Sequence, residues 1–392
     1  MTFSRYAGYA WSLLSKGSPL DLSIEVLNDC IGKKYPMQNN DVHVKGTIRW
    51  LLSAQHATQD GGVSAMYSLY RGWDPSYPET TGYIIPTFFN YYHATGNEQI
   101  RNAALKMARW ELTKQFSSGA FPGGSEGNEK PTVFNTGQVL FGMVRTYQET
   151  TDESYLISAK KAADWLAQVQ EKEGYWQTYE YLEKKHVYNS RVAWPLLLAY
   201  KITKDTAHKQ AAINFLDWAI DQQNEEGWYE HNAFFEGQEP LLHTIAYAIQ
   251  GILEGGVLLN NKKYIESART AADALLSKLR PNGSLAGSFD EKWHSSVQWS
   301  CLTGNAQMAV VWLSLHRLTR DQKYKHAARK AIAFLKTTQN LSSSHRGIYG
   351  GIKGAYPIWG WYAPFCYINW AAKFYVDALL FDENPRLWDK MS

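Results

Sequence analysis

The chain has 392 residues, 45% of them hydrophobic, and a formal net charge of +3, so it has material for a large core but no basic footprint for duplex nucleic acid. Its three cysteines, Cys30, Cys301 and Cys366, form no CxxC pair, which argues against a disulfide framework and suits a reducing compartment. The 16 Trp and 25 Tyr are the outlier: aromatics outside helices offer flat faces on which pyranose rings stack.

Residues 1–41 read as an N-terminal arm with a short helix near Ser23–Gly32, and residues 42–392 as one domain. The first residues have an apolar patch broken by Ser and Lys and no small-residue cleavage site, so no signal peptide is expected. No stretch reaches the roughly 20 apolar residues of a membrane span, and the expected location is cytoplasmic.

From Val42 an amphipathic helix runs through Ile48, Trp50, Leu51 and Leu52 to Gln55 and stops at Asp60-Gly61-Gly62. Its ending, an aromatic residue five before a glutamine and then a glycine-aromatic step, recurs down the chain. The copies start at Trp50, Trp110, Trp165, Trp218 and Phe334, with a degenerate one at Ala274…Leu279, and the six are spaced 60, 55, 53, 56 and 60 residues apart. Such a period marks a repeat in which each unit buries its apolar face against its neighbours.

Within each repeat a long loop leads to a hydroxyl or amide, expected to cap the next helix: Thr81, Thr136, Ser190, Thr244, Thr303 and Asn369. The helices that follow, such as VLFGMVRTY and VAWPLLLAY, are apolar nearly all round and therefore buried. Each turns over at a short polar link, such as Thr95-Gly96-Asn97, into a helix with a charged outer face. One buried and one amphipathic helix, six times over, predict an all-α fold of two concentric rings.

This pattern resembles the six-hairpin (α/α)6 toroid shared by many carbohydrate-active enzymes and by terpene cyclases and prenyltransferase subunits. Within that superfamily the wording of DGGVSAMYSLYRGWDPSYPETTGYIIPTFFNYY, YNSRVAWPLLLAY, LTGNAQMAVVW and GAYPIWGWYAPFCYINWAAKFYVDALL resembles bacterial proteins attributed to surface-polysaccharide biosynthesis. The resemblance implies a poly- or oligosaccharide ligand and a possible link to polysaccharide-synthesis machinery. No aspartate-rich cyclase motif occurs. No HxH, HExxH or paired-cysteine motif marks a metal site, no phosphate loop is present, and no cofactor is implied.

The six loops before the inner helices should form one mouth, where helix N-termini favour an anionic group. His186, Tyr188, Asn189 and Arg191, with His243 one repeat later, suit proton chemistry on a uronate, as in a lyase or epimerase: His or Tyr to move the proton, Arg or Asn to hold the carboxylate. Tyr77, Trp73, Asn135, Trp299, Trp359, Tyr356 and Asn305 are the remaining expected sugar contacts. A glycoside hydrolase would instead pair Glu79 with Glu126 or Asp290 across the scissile bond. Asn128 belongs to the same second loop. A non-catalytic glycan-binding scaffold would need only the aromatics and hydrogen-bonding groups.

Overall fold

The computed structural model describes residues 18–124 and 130–390. Glu126 and Asn128 lie outside the described residues. After α1 (Pro19–Cys30), twelve helices follow as outer and inner in alternation: α2 (Asn40–Thr58) and α3 (Pro78–Thr95); α4 (Glu98–Leu112) and α5 (Val133–Thr150); α6 (Glu153–Gln168) and α7 (Ser190–Thr203); α8 (Thr206–Asp221) and α9 (Leu242–Leu259); α10 (Lys262–Ser277) and α11 (Leu302–Thr319); α12 (Gln322–Thr338) and α13 (Asn369–Glu383). Each inner helix packs on the next, and α13 returns to pack on α3, which closes the ring. The fold is therefore the (α/α)6 toroid. Helix α9 is long and apolar enough by composition to cross a membrane, but 83% of that window is buried inside the ring.

The repeated glutamine explains the repeated glycine. Gln115 Nε2 donates to the carbonyls of Gly119 and Ser158, Gln170 to those of Gly174 and Ala211, and Gln223 to those of Gly227 and Ser267. One amide thus ties the end of an outer helix both to its own glycine step and to the next outer helix. The glycine lies flush against that neighbour: at Gly119, with φ +100°, a Cβ would sit 2.2 Å from the Lys161 carbonyl oxygen. A left-handed φ and a backbone in contact leave no room for a side chain.

The short links turn by a residue of positive φ at Gly96, Thr151, Lys204, Asn260 and Arg320. Immediately afterwards Asn97, Asp152, Asp205, Asn261 and Asp321 cap the outer helices by accepting from a backbone N–H. The hydroxyls expected to cap the inner helices have another task. Those helices begin earlier than the hydroxyls, or at Ser190 and Asn369 themselves, and Val133 N–H at the start of α5 is met by the Tyr179 carbonyl. Thr81 and Thr136 sit within the first turns and accept from Val63 and Phe121, which follow the glycine steps, at 3.0 and 2.9 Å. They fasten loop to helix.

Two small sheets knit the loops. β1 (Met66–Ser68) pairs antiparallel with both β2 (Gly72–Trp73) and β5 (Cys366–Ile368), with Tyr67 opposite Trp73 and Tyr367, so the first loop is joined to the last. β3 (Ser300–Cys301) pairs with β4 (Ala355–Tyr356). The arm helix α1 is held by a buried ion cluster in which Lys353 Nζ lies 2.9 Å from Glu25 and 2.7 Å from Asp29. Inside the ring, Lys373 pairs with Asp377 at 2.6 Å, and Glu254 accepts from Ser314 and from the Trp388 indole.

Two outcomes follow. Gly119→Ala should lower stability by roughly 2–4 kcal/mol, whereas Gly96→Ala, with φ +70° and nothing within 4 Å of the added Cβ, should cost only about 1 kcal/mol; urea midpoints compare them. Burial pushes the Glu254 carboxyl up to about 7 against the bonds from Ser314 and Trp388. The native state then binds the extra proton, so this group costs stability progressively as pH rises from about 4.5 to 7. Glu254→Gln should be favoured over wild type increasingly across that window, and an unchanged stability difference between the two would refute the linkage.

Candidate functional site

The first turns of α3, α5, α9 and α13, together with the 3-10 turn Val187–Asn189 before α7, face a cavity of about 1020 Å³. It opens at the N-terminal ends of the inner helices, as the loop arrangement predicts, and is large enough for more than one sugar ring. Glu79, Asn135, Glu180, Tyr188, His243, Tyr247 and Trp370 form its inner part, and residues 178–179, 181–183 and 234–235 wall its mouth.

Two carboxyl groups share this space. Glu79 stands at the start of α3, where the Tyr77 hydroxyl donates to its Oε2 at 2.5 Å. Burial pushes it up to about 7, opposed by the Tyr77 bond and by the charge of Arg191. Glu180 comes from the third loop and is pushed up to about 8, chiefly by burial and further by Glu79; the Tyr181 N–H and the Asn189 amide beside it work in the opposite direction.

The sequence offers Glu180 among the residues of the third mouth loop, but spacing gives it no catalytic role. It reaches the cavity because the backbone takes left-handed φ at Tyr179, Leu182 and Glu183, +66°, +58° and +50°, and no periodic pattern encodes such a turn. The cavity walls contributed by Phe134, Tyr247 and Trp370 are invisible from spacing, because an apolar helix start looks the same whether it faces a core or a cleft.

His243 Nδ1 lies 2.9 Å from Gln307 Oε1, so the ring donates there and keeps Nε2 as an acceptor. Burial, with some help from Arg191, pushes it down to about 4 despite the Gln307 bond. The imidazole is therefore neutral at ordinary pH. Tyr188 is pushed well above the usual phenol value, first by burial and then by Glu180 and Glu79, so its hydroxyl is a donor rather than a ready base.

Of the expected site residues, Tyr77, Glu79, Asn135, Tyr188 and His243 line the cavity. Arg191 does not: it is 1% exposed, its guanidinium donates to Gln250 and Gln138, and the rings of Phe141, Trp194, Tyr247 and Phe374 surround it. It acts on the cavity by charge through the floor. His186 lines the neighbouring groove instead and stacks on Tyr188 at 4.5 Å between centroids. Asn189 is fully buried beside Glu180.

The other expected sugar contacts are also elsewhere. Asn305 is a loop clamp, its amide bonding the Leu285 N–H and the Cys301 carbonyl. Trp73 packs on Trp50 and Tyr67 beside a separate shallow hollow. Trp299 packs against Gly287 and Gly360, Tyr356 accepts from Lys34, and Trp359 is 42% exposed away from the cavity lining. Asp290 caps a turn by accepting from Lys292 and His294 in the neighbouring groove, so it cannot face Glu79. Among the described residues, the grouping of possible metal ligands is Asp164, Asp205 and His208 on the outer ring, where the Lys160 ammonium already contacts both carboxylates.

Compared with known proteins, the fold is that of (α/α)6 carbohydrate-active enzymes. Its structure is similar to an unsaturated glucuronyl hydrolase specific for heparin, with a TM-score of 0.70 at 16% identity over 89% of this chain and 98% of that one. It is similar to the glycosaminoglycan-degrading unsaturated glucuronyl hydrolase of Bacillus sp. GL1, with a TM-score of 0.69 at 17% identity over 87% and 97%. Cellobiose 2-epimerase from Bacillus thermoamylovorans B4167 gives a TM-score of 0.65 at 15% identity over 92% and 98%. Residues 106–241 match the family model of Glycosyl Hydrolase Family 88, a stretch that holds Glu180 but neither Glu79 nor His243. No curated protein sequence matches the chain.

The neutral imidazole has a direct check. In nitrogen-15 NMR, His243 should show no titration between about pH 5 and 9, and a midpoint near the usual histidine value would contradict this description of the cavity.

Proposed function

We propose that the protein is a glycoside hydrolase acting on an oligosaccharide, with Glu180 as proton donor and Glu79 as the carboxylate at the anomeric carbon. The observation that carries this reading is the pair of carboxyls in one cavity, Glu180 buried and Glu79 half-buried, both raised toward neutral pH. Glu180 has the higher value and is the group protonated longer. Glu79 is the better carboxylate, since the Tyr77 hydroxyl, the α3 N-terminus and the charge of Arg191 all favour its ionised form.

The partial match to Glycosyl Hydrolase Family 88 supports hydrolysis ahead of lyase or epimerase chemistry. Geometry points the same way: Arg191, expected to hold a uronate carboxylate, is sealed beneath the floor and cannot touch a ligand. The names of the structural neighbours span an acidic and a neutral sugar. The sequence resemblance to surface-polysaccharide proteins supports a bacterial exo- or capsular glycan as the source of the oligosaccharide.

In such a reaction Glu180 protonates the leaving-group oxygen while Glu79 attacks the anomeric carbon or activates water. Turnover needs Glu79 ionised and Glu180 protonated, so activity should rise through about pH 7 and fall through about pH 8. Glu79→Gln should remove release of reducing sugar from every substrate. Glu180→Gln should lose roughly 100- to 10,000-fold on natural glycosides yet far less on aryl glycosides whose leaving group needs no proton. If both variants keep wild-type turnover, the assignment is wrong. Ultraviolet absorbance of an unsaturated uronate product would put a lyase in its place.

A further inference from the structure

The charges around the cavity are one-sided. Glu79, Glu180 and Glu183 line it, whereas among the described residues Lys130 is the sole lysine or arginine on its wall, exposed at the mouth. Residues 125–129, Ser-Glu-Gly-Asn-Glu, add no cationic residue type in sequence. The one guanidinium close by, Arg191, is committed to Gln138 and Gln250 and boxed in by aromatic rings. His243 is held neutral by burial. What the inner cavity does offer is ring faces from Phe134, Tyr188, Tyr247, Tyr362 and Trp370, and neutral polar groups from Asn135 and Thr244.

We propose that the innermost subsite takes an uncharged pyranose and selects against a hexuronate at that position. Aromatic faces stack on the C–H surface of a neutral ring, and hydroxyls satisfy the amide and hydroxyl groups. At alkaline pH, where Glu79 and Glu180 are both ionised, a hexuronate would bring a third carboxylate into the cavity, and among the described residues its inner wall offers no cation to accept it. Repulsion between like charges is strongest where water is excluded. The N-termini of α3, α5, α9 and α13 do not offset this, because Glu79 occupies the first and the carbonyls of Tyr179, Gly287 and Ala65 meet the leading N–H groups of Val133, Leu242 and Asn369 in the others. The proposal rests on the hydrolase reading only for where the scissile bond lies.

The test uses the full-length wild-type protein and a panel of sulfur-linked, non-cleavable disaccharide pairs. Each pair differs only in carrying –CH2OH or –COO⁻ at C6 of the non-reducing sugar. Calorimetry at alkaline pH, with both carboxyls ionised, should find the neutral member of any bound pair at least about tenfold tighter, and Glu180→Gln should narrow that ratio by relieving the repulsion. Equal or tighter binding of the hexuronate members overturns the proposal, as does a panel in which no neutral member binds. The oxygen-linked counterparts separate the two readings. Neutral disaccharides that bind but are never cleaved would remove the hydrolase and leave the selectivity standing, whereas cleavage of hexuronate members at full rate would remove the selectivity alone.

Discussion

Everything in this molecule hangs on a side-chain amide bridging two backbone carbonyls. Because Gln55, Gln115, Gln170 and Gln223 each donate both to the glycine step of their own repeat and to the next outer helix, the spacing of one helix to its neighbour is fixed by a bond length rather than by apolar contact alone. Gln339 makes the same bond to the Gly350 carbonyl but reaches Thr47 on α2, so the last repeat is tied to the first and the ring closes. The fifth repeat has Leu279 at this place. It keeps the glycine, since Gly283 lies against the Lys330 carbonyl with φ +85°.

A closed ring of this kind settles where chemistry can occur. Inner helices that all run the same way bring their first turns to one end, and the long loops that precede them must cover that end. The loops are stiffened where they meet, by β1 pairing with β5 and by Thr81, Thr136 and Asn305 holding the residues that follow the glycine steps. A rigid frame lets a few side chains be buried in polar form and still be placed reproducibly. Glu180 is an example, and so is His243, held by Gln307.

Burial also decides what those groups are. In water two glutamates and a histidine would be two anions and a half-charged ring; enclosed, the carboxyls hold protons into the neutral range and the imidazole loses its proton. Arg191 stays charged beneath them, opposing the shift of Glu79 and reinforcing that of His243. A single cation sealed behind the floor thus tunes both groups without being able to touch a ligand.

How much of this was legible beforehand follows from what repeats. The period of about 55 residues, the apolar inner helices, the outer helices and the mouth at the inner N-termini could all be read from the chain, because packing demands recur in every unit and leave recurring residues. Glu79, Tyr77, Asn135, Tyr188 and His243 could be picked out because they stand at equivalent places beside inner-helix starts. Those that differ from expectation were decided by the tertiary structure. The hydroxyls became loop clamps because the helices begin earlier, Asn305 was spent on the Leu285 backbone, and Arg191 was drawn into the ring by Gln138 and Gln250 from neighbouring helices. Glu180 arrived through the left-handed residues Tyr179, Leu182 and Glu183 that flank it in the third loop. Periodicity encodes what every repeat must do to pack; which side chain faces the cavity depends on contacts between residues distant in sequence, and these exist only once the ring has closed.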